Sequence, residues 1–320
     1  MAGIRDHVLI ECGFIVDEHS NETASVCMGQ GKWVIMPHDG DDLALAIVLV
    51  GATGFGMSTP ASENDSSSTA STNGCATDIY AVEQCAEIYD IAIAPTASAI
   101  AALLDFLEQA FLDSAALHLG PTGHEGDVRE RIQFLDVGCG SGSFTKKHLL
   151  PRLPAWCERL VAVDNSDAML KFAAESSADP RIEYRKLDIL AYEDVAQFVN
   201  AEGRFQRVYS FLAFHWIAEH RIALKNIGTL LAPGGECFIV FSDKLHVFDV
   251  FAAMMESPRW KKYSDILLQM LPETRLLEDI YSLRSYLVNL LQETNLLPLA
   301  CEIFPLKEKV GLSEETAIGE

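Results

Sequence analysis

Apolar and polar positions along this chain fall into two regimes, and the change comes near residue 80. From Tyr80 onward, short apolar runs alternate with stretches of helical periodicity. Leu103, Leu104, Leu107 and Phe111 share one helical face. The runs at 132–138 (IQFLDVG), Arg159–Asp164 (RLVAVD), 182–188 (IEYRKLD), 207–214 (RVYSFLAF), 236–241 (ECFIVF) and 298–304 (PLACEIF) each predict a strand. Between them, Ser166 is placed to cap a helix whose apolar face is Met169, Leu170, Ala173 and Ala174. A second helix, with Ala223, Leu224, Ile227, Leu230 and Leu231 on one side, leads to Pro233-Gly234-Gly235. Strands alternating with helices predict an α/β fold, a doubly wound and mostly parallel sheet covered on both faces. In such sheets ligands bind beyond the carboxyl ends of the strands, near the point where strand order reverses.

The first 79 residues do not share this rhythm. Residues 59–77 read TPASENDSSSTASTNGCAT, too poor in large apolar side chains to offset the entropy of ordering. They predict a linker, so that 1–79 is an irregular N-terminal extension and 80–320 the main domain. Residues 43–57 are apolar apart from Thr53 but contain three glycines. That run is shorter than the ~20 residues that cross a bilayer, and it predicts a buried segment. Glu11, Cys12 and Gly13 break the first apolar stretch, which argues against a signal peptide. The main domain is expected to fold without the first 75 residues. The competing expectation is that residues 43–50 pack into its sheet.

The formal net charge of −22 argues against binding nucleic acid or an anionic membrane, because a polyanion would be repelled. A small neutral or amphipathic substrate suits it better. None of the eight cysteines forms a CxxC pair, and no His/Cys cluster has zinc spacing, so no metal is expected. A core-rich chain of this length does not need disulfides, and reduced thiols in the cytoplasm are expected. Two N-terminal patterns carry weaker signals. Residues 47–56 look like the first turn of short-chain dehydrogenases, but a serine-rich stretch follows where a helix is required. Asp39, Asp41 and Asp42 read as a solvated acidic turn.

The chemistry-bearing pattern is FLDVGCGSGSFT, residues 134–145. Gly138, Gly140 and Gly142 stand two apart after an apolar strand, where glycine permits positive φ and close approach of a ligand to the backbone. A dinucleotide turn would place its last glycine three positions on, and here position 143 is Ser. The shorter spacing suits a ligand without a pyrophosphate. Asp164, at the end of the next strand, is placed to accept from ribose hydroxyls. Asp188 and Ile189, after the third strand, are placed either to meet an adenine ring or to cap the loop.

These three features together resemble the class I S-adenosylmethionine-dependent methyltransferases. The resemblance implies S-adenosylmethionine as cofactor, with Gly138, Gly140 and Gly142 along its methionine part and Asp136 orienting the turn. It places Asp164 on the ribose, Asp188 and Ile189 on adenine, and Ser210 and Phe211 facing the sulfonium and substrate. A finer resemblance lies in residues 209–241 and 257–265, where His215-Trp216 is followed by Trp260 and Tyr263. It is similar to the arthropod juvenile hormone acid methyltransferases, and implies that His215 and Trp216 shape the site of a small carboxylic acid. That family starts near Tyr80 and continues past a sixth strand, so the terminal strand is left without a counterpart after Phe304. A carboxylate is already ionised at neutral pH and needs no general base, whereas a hydroxyl acceptor would make His215 a candidate base. The competing readings are a non-catalytic adenosylmethionine-binding protein and a nicotinamide-dependent oxidoreductase.

Overall fold

The computed structural model describes residues 27–29, 32–34 and 43–52, helical positions within 86–105, residues 132–242, and residues 245–306 apart from 278 and 295. The linker at 59–77, the acidic turn at 38–42 and positions Leu103, Leu107 and Phe111 lie outside the described residues. Two short strands, β1 (Cys27–Gly29) and β2 (Lys32–Val34), pair antiparallel with each other.

The remaining strands are β3 (Leu43–Ala52), β4 (Gln133–Val137), β5 (Arg159–Asp164), β6 (Ile182–Lys186), β7 (Phe205–Phe211), β8 (Leu231–Ser242) and β9 (Leu296–Leu306). They form one sheet in the order β6-β5-β4-β7-β8-β3-β9. The first five are mutually parallel. All five residues of β4 are buried, as expected of a central strand covered on both faces. Its side chains alternate: Leu135 and Val137 join one core cluster, and Phe134 the other. The first cluster takes in Val195 of α2 (Tyr192–Glu202), Ala223 and Ile227 of α3 (His220–Leu230), and Leu283 and Leu287 of α4 (Ile280–Gln292). The second takes in Ile100 and Leu104 from the helical positions before β4. Ser166 caps α1 (Asp167–Ser176) by accepting from the Met169 amide at 3.1 Å, as its place in the sequence predicted. Met169 and Ala173 of that helix are buried, but Ala174 is exposed.

The sheet crosses the boundary placed at residue 79. Strand β3 comes from the N-terminal extension and lies between β8 and β9, antiparallel to both. Leu45 to Gly51 run opposite Ser242 to Glu236 on one side, and Leu43 to Ala52 opposite Leu306 to Leu296 on the other. Residues 43–50, the run whose packing into the sheet was the competing expectation, lie within this strand. The physical reason is that β8 and β9 each present an unpaired edge, and a ten-residue apolar run satisfies both at once.

Strand order reverses between β4 and β7. The chain runs from β4 outward through β5 to β6, then returns to start β7 on the other side of β4. The crevice at that switch point opens at the ends of these two strands.

Candidate functional site

The turn after β4 is tied down from β5. The amides of Gly138 and Cys139 both donate to the Val163 carbonyl, at 2.8 and 3.0 Å. The Asp164 carboxylate accepts from the Gly140 amide on one oxygen and from the Ser166 amide on the other, each at 2.8 Å. One side chain thus joins the loops that follow two neighbouring strands. The Leu187 amide, donating to the Asp164 carbonyl at 3.1 Å, brings in the loop after β6.

The three glycines have positive φ, 76° at Gly138, 53° at Gly140 and 71° at Gly142, but they serve different needs. A Cβ at Gly138 would collide with the Ala213 side chain, and one at Gly142 with the Tyr184 hydroxyl. Those two are required by packing. At Gly140 an added Cβ would have, among the described residues other than its chain neighbours, only Cε1 of Tyr89 within 4 Å, at 3.7 Å. Of the three, Gly140 is therefore the one whose added Cβ would meet no close neighbour among the described residues.

Asp136 is buried beneath the turn and accepts from the Thr145 hydroxyl at 2.6 Å. Burial pushes its pKa up to about 7, the Thr145 bond opposes that, and the charge of Asp164 adds to it. Between its ordinary value of 3.8 and about 7, the folded state holds a proton that the unfolded state has lost. Stability from this group therefore falls as pH rises through that window. We expect Asp136→Asn to raise the melting temperature relative to the parent at pH 8, with the gain shrinking toward pH 4. A difference independent of pH, read by calorimetry, would contradict this.

Beyond β6, the Leu190 amide donates to Asp188 at 2.9 Å, so this carboxylate caps its own loop with one oxygen. Ile189 is buried, and Asn226 fixes that loop by donating to the Ile189 carbonyl at 2.7 Å. Beyond β7, the Ser210 hydroxyl is buried and donates to the Val137 carbonyl at 2.8 Å, tying β7 to β4. Phe211 packs with Phe144, ring centroids 4.8 Å apart, under the glycine turn. Leu212 has φ 57°, a strained conformation for a branched side chain, held by its amide bonding Val240 at 2.8 Å. It turns the chain sharply into the one-turn segment Phe214–Trp216.

His215 in that segment is buried, and its Nδ1 accepts from the Ser242 amide at 3.4 Å. Burial, and then the neighbouring His220, lower its pKa to about 3. It is neutral at physiological pH and a weak base. Trp216 packs edge-on against Phe248, 5.6 Å between centroids. It lies against a separate apolar cluster of Phe248, Phe251, Met254, Trp260, Leu267 and Leu271. Its indole N–H is buried, with no acceptor among the described residues.

Two residues invisible to motif reading also reach the turn. Asp90 accepts from the Ser141 hydroxyl, and Tyr89 lies beside Gly140. Burial, with Asp164 and Asp90 nearby, pushes the Tyr89 pKa up, so it stays protonated. Their signal, the dipeptide YD in a helical stretch, is too common to be read without the fold.

Residues 135–239 match the family described as Methyltransferase domain. The juvenile hormone acid O-methyltransferase of Bombyx mori is 32% identical over 129 residues, 40% of this chain and 45% of that protein. Its Drosophila melanogaster namesake is 33% identical over 131 residues, 40% of this chain and 43% of that protein. The trans-aconitate 2-methyltransferase of Variovorax paradoxus is 31% identical over 114 residues, 36% and 40% of the two chains. The matched region thus spans less than half the length of each of these relatives. Among the described residues, no helix is long and apolar enough to cross a membrane. With its glycine turn and its strand-end carboxylate, the segment 135–239 thus matches a methyltransferase domain and is similar to those of the class I S-adenosylmethionine-dependent methyltransferases.

Proposed function

We propose that the protein transfers a methyl group from S-adenosylmethionine to the carboxylate of a small apolar acid. The residues present fit the cofactor: open space at Gly140, and a carboxylate at Asp164 already aimed at the turn. In this reading Gly140 accommodates the methionine part and Asp164 accepts from the ribose hydroxyls. Asp188, which keeps one oxygen uncommitted by the Leu190 bond, and buried Ile189 border the adenine. Gly138 and Gly142 shape the turn, Asp136 supports it from below, and Ser210 and Phe211 hold the floor beside it.

The observation that carries the acceptor reading is Trp216. A buried indole N–H with no acceptor among the described residues costs desolvation energy unless a ligand accepts from it. It lies beside an apolar cluster in which Phe248, Met254 and Trp260 are buried. A donor next to an apolar wall suits a molecule with an anionic head and a hydrocarbon tail. The names of the three relatives all describe methylation of an acid, which points the same way.

When bound, the cofactor supplies a methyl group already activated by its positive sulfur. What this chain's residues contribute is alignment and exclusion of water. Trp216 would hold the acceptor carboxylate, and the apolar cluster would strip solvent from the tail. His215, buried and bonded to Ser242, would hold the turn, and no proton has to move because the carboxylate is ionised. Incubating the full chain with methyl-labelled cofactor tests this. We expect farnesoic acid to gain a base-labile label and farnesol to gain none; label on farnesol alone would overturn the carboxylate reading.

A further inference from the structure

We propose that His220 is a positioning residue, which fixes the acceptor-side segment Phe214–Trp216 by clamping its first carbonyl to helix α4 through Tyr286. This rests on the reading that Trp216 borders the acceptor.

His220 opens α3 and is only 2% exposed. Its Nε2 lies 2.8 Å from the Phe214 carbonyl oxygen, and its Nδ1 lies 3.1 Å from the Tyr286 hydroxyl. A carbonyl can only accept, so Nε2 carries the hydrogen. Burial lowers the imidazole's pKa, so the ring is neutral and Nδ1 faces the Tyr286 hydroxyl without a hydrogen of its own. Tyr286 has its own pKa raised by burial and by Glu273, to which its hydroxyl is also hydrogen-bonded, so it stays protonated and its one hydrogen is shared between the Glu273 carboxylate and Nδ1. The ring is also gripped on its faces, stacked on Phe214 at 5.6 Å and tilted against Phe241 at 5.4 Å.

The segment needs such a clamp. It is three residues long and follows the strained Leu212, and its own backbone provides two bonds: Trp216 to Ala213 at 2.9 Å and Ile217 to Phe214 at 3.0 Å. The Ser242–His215 contact is long, at 3.4 Å. The bond from His220 is the shortest tie between this segment and the rest of the molecule in that set, and Tyr286 extends it to a helix packed against β9. An apolar residue of similar size could fill the space, but it would leave the Phe214 carbonyl with the Ile217 amide alone and would cut the tie to Tyr286.

The full chain labelled with 5-fluorotryptophan gives a direct readout by fluorine NMR, the Trp216 line being assigned from Trp216→Phe. We expect His220→Ala to shift or broaden that line while leaving those of Trp156 and Trp260 in place. Affinity for S-adenosylmethionine should stay within about twofold, and the KM for farnesoic acid should rise about tenfold with a smaller change in kcat. His220→Gln, which keeps a donor for Phe214, should restore most of both. Should His220→Ala not fold, Tyr286→Phe removes only the hydroxyl and should move the same line in the same direction. An unmoved Trp216 line, an equal shift of all the lines with a matching loss of cofactor affinity, or failure of Gln to restore would each overturn the proposal. If the parent does not methylate farnesoic acid, the acceptor reading falls, and the fluorine lines still decide the role of His220.

Discussion

Deleting residues 1–75 is expected to leave a chain that aggregates, with soluble yield lower by an order of magnitude, even though every residue assigned to the cofactor remains. Strand β3 is lost in that deletion. The deletion bares the β8 edge from Glu236 to Ser242 and the β9 edge from Leu296 to Leu306. Phe238, Ile239, Val240 and Phe241 on β8 are core residues, so the bared edge is long and apolar, the kind that pairs with other chains. Domain stability is only about 5–15 kcal/mol, and losing an interior strand exceeds what it can absorb. Leu43 pairs with Leu306, which suggests a rescue. Fusing residues 43–52 after Leu306 through a tight turn should restore soluble protein, because the strand re-enters the same slot. A soluble, monomeric 76–320 chain with full cofactor affinity would show instead that β3 is dispensable.

Gly140→Val should lower affinity for S-adenosylmethionine by more than about tenfold, roughly 1.4 kcal/mol. The Val side chain would project into the space that the glycine leaves open beside Tyr89. It would also have to adopt φ near 53°, which costs a non-glycine residue roughly 1–2 kcal/mol, more for a branched one. The resulting shift would pull the Gly140 amide from Asp164. Gly142→Ala makes the contrast. Its methyl would strike Tyr184, so we expect a larger loss of melting temperature than of affinity. Equal affinity for Gly140→Val and the parent would remove this turn from the cofactor site.

The parallel half of the sheet was legible because its strands are near-continuous apolar runs bounded by glycines and caps. Arg159–Asp164 was read at its exact limits. The run at 236–241 proved to be the end of a longer strand beginning at Leu231, because Pro233 and Gly234 looked like a turn and not a strand entry. The place of β3 was not legible. Its partners lie about 190 and 250 residues away, and no local periodicity reports a pairing of that range. The serine-rich stretch after it read as a boundary, although a chain can pass through such a stretch and still return to the same sheet.

In the site, the strand-end positions of Gly140, Asp164 and Asp188 were readable from spacing alone. The separate reasons for the three glycines were not, since they depend on Ala213 and Tyr184, distant in sequence. The pairing of Ser210 with Val137, the neutral state of His215 and the reach of Tyr89 and Asp90 all follow from burial and contact. Sequence spacing carries none of these.

Titration calorimetry of the full chain with S-adenosylmethionine tests the central claim most directly. We expect one binding site per chain, competed by S-adenosylhomocysteine because both ligands share the ribose and adenine proposed to lie at Asp164 and Asp188. Absence of binding heat in a folded, monodisperse sample at several temperatures, or binding that S-adenosylhomocysteine fails to compete, would contradict it.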